Sequence, residues 1–185
     1  MKAKSLFIIL ATALLCACQP GEKNLSEKIP PLPVLTSATV QNPYYSRTDT
    51  ASLTVSDSAW RNILPDSIYQ VARKKGTERA FTGKYWNYTG LGTYYCAICG
   101  NKLFRSDSKF ESDCGWPSFF ETSRKNSVFY QPDLSYGMDR IEVLCGRCKS
   151  HLGHLFDDGP PPTGKRYCMN SVILDFDPDI KTRLE

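Results

Sequence analysis

The feature that most limits how this chain can fold is a repeated cysteine spacing. Cys96 and Cys99 lie in YCAICGNKLF, and Cys145 and Cys148 lie in LCGRCKSHLG. Two sulfurs three residues apart on a tight turn point at one centre, and two such turns supply the four ligands of a tetrahedral zinc ion. The pairs stand 45 residues apart, a longer gap than in a zinc ribbon, so such a site would clamp distant segments rather than fold locally. Other arrangements use the same residues. The cysteines after Cys18 could pair as disulfides in an oxidising compartment, and Cys145, Cys148, His151 and His154 fall at equal spacing and could bind zinc alone.

A chain of 185 residues with 41% hydrophobic content suits one domain with a real core and some tail. The net charge of +4 includes Lys2 and Lys4 at the extreme N-terminus, so the basic excess is too weak to argue for a nucleic-acid partner. The N-terminus reads as a processing signal. MKAK is basic, SLFIILATALL is apolar, and the run is too short for a comfortable transmembrane helix. It ends in Leu15-Cys16-Ala17-Cys18, which resembles a bacterial lipobox. That resemblance implies cleavage before Cys18, lipidation of its sulfur, and a membrane-anchored lipoprotein of the bacterial cell envelope. The expected organisation is a signal peptide over 1–17, a lipidated N-terminus and tether over 18–55, a domain over 56–178 and a tail over 179–185. A flexible tether of that length would span roughly 30–40 Å. SATV and SLTV within it could instead pair as strands.

A short helix is predicted from Asp57 to Leu64, capped by Ser56, Asp57 or Ser58, with Trp60, Ile63 and Leu64 inward. A second follows Pro65, with Ile68, Val71 and Ala72 at helical spacing, Arg73, Lys74 and Lys75 suiting its C-terminal dipole, and Gly76 ending it. GTYYC, NKLFR, SVFYQ, RIEVLC and RYCMNSVILDF read as strands, and HLGH as a glycine-containing turn. The fold class is therefore mainly β and antiparallel behind two small helices.

Cys114, in ESDCGWPSFF, and Cys168, in RYCMN, belong to neither C-x-x-C pair. On a strand, Arg166, Cys168 and Asn170 share one face. An arginine beside a thiol favours the thiolate, and one pKa unit of lowering takes about 1.4 kcal/mol. Cys168 thus reads as an activated nucleophile and Cys114 as its resolving partner. His151 and His154 precede the DDGPPPTG loop that leads to Cys168, so one of them is a candidate proton donor or water holder. Trp116, with Phe119 and Phe120, could wall a small apolar group.

The strings KGTERAF, GKYWNY, YYCAICGNKLF, CGWPSF and RIEVLCGRCKSHLGHLFDDGPPPTGKRYCMNS, in this order, resemble the B-type methionine sulfoxide reductases over about Asp57 to Phe176. The resemblance implies two twisted antiparallel sheets with small N-terminal helices and one structural zinc held by Cys96, Cys99, Cys145 and Cys148. It implies Cys168 as nucleophile, Cys114 as resolver, and Trp116 packed on the sulfoxide methyl. It also implies an active-site set of His151, His154, Asp158, Arg166 and Asn170, with His154 the more direct participant of the two histidines. The implied substrates are oxidised proteins carrying methionine-R-sulfoxide. The implied reductant is a thioredoxin-like dithiol, here one of the cell envelope, and the expected state is a monomer. Asp113 departs from the family, which often has glycine there.

Overall fold

The computed structural model describes residues 42–179. The signal segment, Cys18, most of the expected tether, SATV and residues 180–185 lie outside the described residues. Among the described residues, no helix is long and apolar enough to cross a membrane.

Two helices come first, α1 (Asp57–Ile63) and α2 (Asp66–Lys74). Ser56 caps α1 by accepting from the Ala59 N–H, and Trp60 is the buried side chain of that helix. α2 ends one residue earlier than the glycine predicts. Lys75 takes the left-handed cap position at φ 57°, and the Gly76 N–H closes onto the Gln70 carbonyl. Lys75 is held there by a 2.7 Å bond from its ammonium to the Glu142 carboxylate.

Nine strands follow among the described residues: β1 (Gly92–Cys96), β2 (Lys102–Arg105), β3 (Lys109–Phe110), β4 (Ser118–Phe119), β5 (Val128–Asp133), β6 (Arg140–Cys145), β7 (His151–Phe156), β8 (Arg166–Met169) and β9 (Leu174–Pro178). They form two antiparallel sheets, ordered β2-β1-β9 and β3-β4-β8-β7-β6-β5. The mainly-β expectation holds. Phe104 of β2 stacks on Phe119 of β4 at 4.3 Å and joins the two sheets. Trp60, Tyr94, Leu152, Met169 and Ile173 complete the core around them.

Two expectations are corrected. HLGH is a strand, not a turn, because Gly153 lets β7 approach β8 closely. A Cβ on Gly153 would lie 2.0 Å from the Cys168 carbonyl oxygen. RYCMNSVILDF is two strands in different sheets rather than one. The break is made by Glu78, whose carboxylate accepts from the Ser171 and Val172 N–H groups. This winds Ser171–Ile173 into one 3₁₀ turn and sends β9 to the other sheet.

Residues 42–55 also differ from a free tether, and SLTV forms no strand. Ser46 N–H reaches the Cys99 carbonyl at 3.0 Å and Leu53 N–H reaches the Arg147 carbonyl at 2.9 Å. Arg147, 3% exposed, donates to the Tyr44, Ala51 and Cys99 carbonyls and pairs with Asp49. Arg47 lies over the Tyr95 ring and bridges Asp175 and Asp177. The segment is a strap laid over the cysteine turns. Arg147→Ala removes the side-chain donor from the Tyr44 and Ala51 carbonyls and strips the Cys99 carbonyl of one of its two donors. It is expected to lower the unfolding free energy by about 2 kcal/mol and to open residues 42–55 to cleavage, as measured by urea titration and limited proteolysis.

Candidate active site

Strand β8 divides by alternation. Tyr167 and Met169 are buried, while Arg166 and Cys168 turn to the opposite face. The strand registers carry that face across the sheet. Ser118 lies opposite Cys168, Cys168 opposite His154, His154 opposite Glu142, and Glu142 opposite Gln131. A row of polar and reactive side chains thus crosses five strands, and directly opposed Cβ atoms in such a row lie about 5 Å apart.

A cavity of about 130 Å³ opens over this row, lined by Trp116, Arg140, His154, Phe156, Cys168 and Asn170 among others. Trp116 is fixed by its indole N–H, which donates to the Glu78 carbonyl at 3.2 Å. Phe119 is not part of this wall, because it is buried in the core against Phe104. Asn170 is a clamp. Its oxygen accepts from the Glu78 N–H and its amide donates to the Leu152 carbonyl. Arg166 lies over the Phe156 ring and forms a bidentate pair with Asp158 at 2.8 and 2.9 Å. Asp158 itself is largely exposed and acts on the site only through that arginine.

The histidines have different surroundings. His154 Nε2 is 2.7 Å from Asp133, which also accepts from Arg140 at 2.7 Å. The Ser135 hydroxyl, His154 and Arg140 hold the Asp133 carboxyl well below the usual range. His151 is 2% exposed, with Nδ1 2.7 Å from Glu142 and Nε2 buried without a partner. Burial pushes the His151 imidazole down, and the ring stays neutral with its Nδ1–H on the carboxylate. Burial also pushes Glu142 up, but Lys75, His151 and Gln131 outweigh it and hold the carboxyl below its ordinary value.

The structure brings Cys114 and Cys168 together, with their sulfurs 3.6 Å apart. The two titrate as one unit. Cys114 is pulled down to about 4, first by the hydrogen bond from Cys168 and then by the Ser112 and Ser118 hydroxyls, against burial. Cys168 is pushed up by the bond to Cys114 and by burial, against Arg166. The lowering of one thiol and the raising of the other are two sides of one shared contact, and Arg166 favours the ionised form of Cys168 within it.

The four remaining cysteines form a second cluster. Cys96 and Cys99 turn between β1 and β2, and Cys145 and Cys148 turn between β6 and β7, so the cluster joins both sheets. The two turns have the same bonds. Gly100 N–H to Cys96 carbonyl matches Lys149 N–H to Cys145 carbonyl, and Cys96 N–H to Asn101 carbonyl matches Cys145 N–H to Ser150 carbonyl. All four sulfurs are buried and lie within 4.8 Å of one another, with closest cross-turn separations of 3.6 and 3.8 Å. A tetrahedron of thiolates at about 2.3 Å from a metal has edges of about 3.8 Å, so the set fits a bound ion. The separations exceed a disulfide bond of about 2.05 Å. His151 and His154 are engaged elsewhere and do not join Cys145 and Cys148.

A SelR domain family model matches residues 64–178, more than half of the chain. The peptide methionine sulfoxide reductase MsrB of Thiobacillus denitrificans is 53% identical over 122 residues, covering 66% of this chain and 92% of that protein. The MsrB of Methanosarcina barkeri is 54% identical over 121 residues, covering 65% and 85%. That of Pseudomonas putida is 55% identical over 119 residues, covering 64% and 90%. The chain belongs to the MsrB family. Helix α1 and the strap precede the region that the SelR model matches in this MsrB chain.

The sequence reading missed Glu78, Asp133, Arg140 and Glu142. For Glu142 a signal existed, since a charged residue alternating with Ile141 and Val143 on a strand points to the face opposite the core. Asp133 gave none, because the contact that ties it to the site, His154, is 21 positions away. The Glu142 contribution to stability has a definite pH window. Its folded pKa lies below the unfolded value of about 4.3, so the contribution is complete above that value and is lost as pH falls through the lower folded one. Glu142→Gln is expected to be less stable than the parent at pH 7, with the gap closing below about pH 4, as read from thermal unfolding across pH.

Proposed function

We propose that this chain reduces the R epimer of methionine sulfoxide in proteins to methionine. The observation that carries the reading is the placement of Cys168, which lines a small cavity with Trp116, Phe156 and His154 while Cys114 waits 3.6 Å behind it. The size and apolar walls of the cavity suit a methyl sulfoxide, and Trp116 is the surface for the methyl group. The peptide methionine sulfoxide reductases that are 53%, 54% and 55% identical to it over the aligned residues support the same chemistry.

A sulfoxide oxygen leaves only when protonated. His154, oriented by Asp133, helps deliver a proton to that oxygen, directly or through a water. The Cys168 sulfur attacks the sulfoxide sulfur and takes the oxygen, so sulfoxide and thiol become thioether and sulfenic acid. Arg166 supports negative charge on Cys168 during the attack. Cys114 then attacks the Cys168 sulfur, forming the disulfide and releasing water. An external dithiol of the thioredoxin type restores both thiols and supplies the two electrons.

The buried cysteine tetrad would hold zinc. When bound, that ion ties the two sheets together and takes no part in the redox steps. For the N-terminus, the reading is cleavage before Cys18, lipidation of its sulfur and attachment to the bacterial cell envelope, where the reductant must also act.

With dithiothreitol and a peptide carrying each epimer, the wild type is expected to reduce the R form alone. Cys168→Ser is expected to be inactive, and Cys114→Ser to turn over without forming the intramolecular bridge. A fully active Cys168→Ser would sink the proposal. Purified protein should contain one zinc per chain by elemental analysis, and Cys99→Ser should lose it together with thermal stability. Labelling of cells with a fatty-acid probe should mark the full chain and not its Cys18→Ser variant.

A further inference from the structure

We propose that Ser112 and Ser118 form a hydroxyl relay that positions Cys114 for bridging, so that the second chemical step has its own positioning residues. The inference rests on the reading of Cys114 as the resolving cysteine.

The Ser112 hydroxyl lies 3.0 Å from the Cys114 sulfur and 2.7 Å from the Ser118 hydroxyl. Ser118 is fully buried, 3.5 Å from the same sulfur and 3.3 Å from the Trp116 carbonyl oxygen. In the order that serves the sulfur, the Ser118 O–H donates to Ser112 Oγ and the Ser112 O–H donates to the sulfur, so the Ser118 proton is turned away from the Trp116 carbonyl. Ser118 is also the β4 residue paired with Cys168 in the sheet. The side chain that anchors the relay therefore sits on the same rigid ladder as the nucleophile. Cys114 is on a loop, and without these contacts its sulfur would be directed by the neighbouring thiol and the Trp116 carbonyl alone. The other charged or titratable groups bearing on it are Cys168 and, more remotely, Arg166.

The relay acts after methionine has left. Cys168 is then a sulfenic acid, the Cys114 sulfur attacks the Cys168 sulfur, the sulfur–sulfur bond forms and the sulfur–oxygen bond breaks. The departing hydroxide takes the thiol proton and leaves as water. A donated O–H keeps the Cys114 sulfur aligned and stabilises the charge that develops on it as its proton passes to the departing oxygen.

Ser112 is partly exposed, so Ser112→Ala tests the relay without opening the core. In a single turnover followed by rapid quench, methionine release reports Cys168 and loss of free thiols reports bridging. Ser112→Ala is expected to slow bridging about tenfold relative to methionine release, the effect of one lost hydrogen bond to a charged sulfur. Ser112→Thr, which keeps the hydroxyl, should restore the ratio. In a Cys168→Ser background, the pH midpoint for alkylation of Cys114 should rise when Ser112→Ala is added. An unchanged ratio with an unmoved midpoint overturns the relay. A moved midpoint in a wild-type protein that forms no Cys114–Cys168 bridge overturns the resolving role itself.

Discussion

The fold depends on four sulfurs meeting at one point. Neither sheet alone encloses the cluster, because each contributes one turn. A thiolate tetrad without a cation would be strongly repulsive in a buried site, so ion binding and sheet assembly are one event in energetic terms. The matched bonding of the two turns shows how this is reached from unlike sequences. Gly100 adopts φ 76° at no steric cost, with the Ser46 carbonyl packed where a Cβ would be, while Lys149 adopts φ 59° at the equivalent position despite its side chain. The strap then uses the buried Arg147 guanidinium to tie residues 44–51 to the same turns. This part of the chain lies outside the family match and reinforces the shared centre from outside.

At the other end of the sheets, Glu78 and Asn170 play the corresponding part with hydrogen bonds instead of sulfur. Burial pushes the Glu78 carboxyl up, and two backbone N–H groups oppose the shift. The same residue orients Trp116 through its carbonyl, donates its N–H to the Asn170 clamp and breaks the chain between β8 and β9. Trp116 and the strand that carries Cys168 are consequently referenced to one piece of backbone. Groups that must meet a substrate within a few tenths of an ångström benefit from such common anchoring.

Much of this was legible in the sequence. Paired C-x-x-C turns, helix caps and strand alternation depend on neighbours a few positions apart, and they located the metal cluster, both helices and most strands. The reactive cysteines stood out by being left over. Features set by distant partners were not legible. HLGH reads as a turn until the close approach of the Cys168 backbone is known. RYCMNSVILDF has unbroken strand character, and the residue that breaks it, Glu78, is about ninety positions away. The Ser118 hydroxyl beside the Cys114 sulfur is set by the pairing of β4 with β8, which no local rule supplies.

Strand β8 carries the core on one face and the chemistry on the other, with a period of two. A slip of one residue against β7 would expose Tyr167 and Met169 and bury Cys168 and Arg166 together. A misaligned molecule is therefore expected to be unstable as well as inactive, rather than stable and misdirected. Hydrophobic burial therefore doubles as proofreading: the half-buried Cys168 thiol lines its cavity only in molecules that have folded in register.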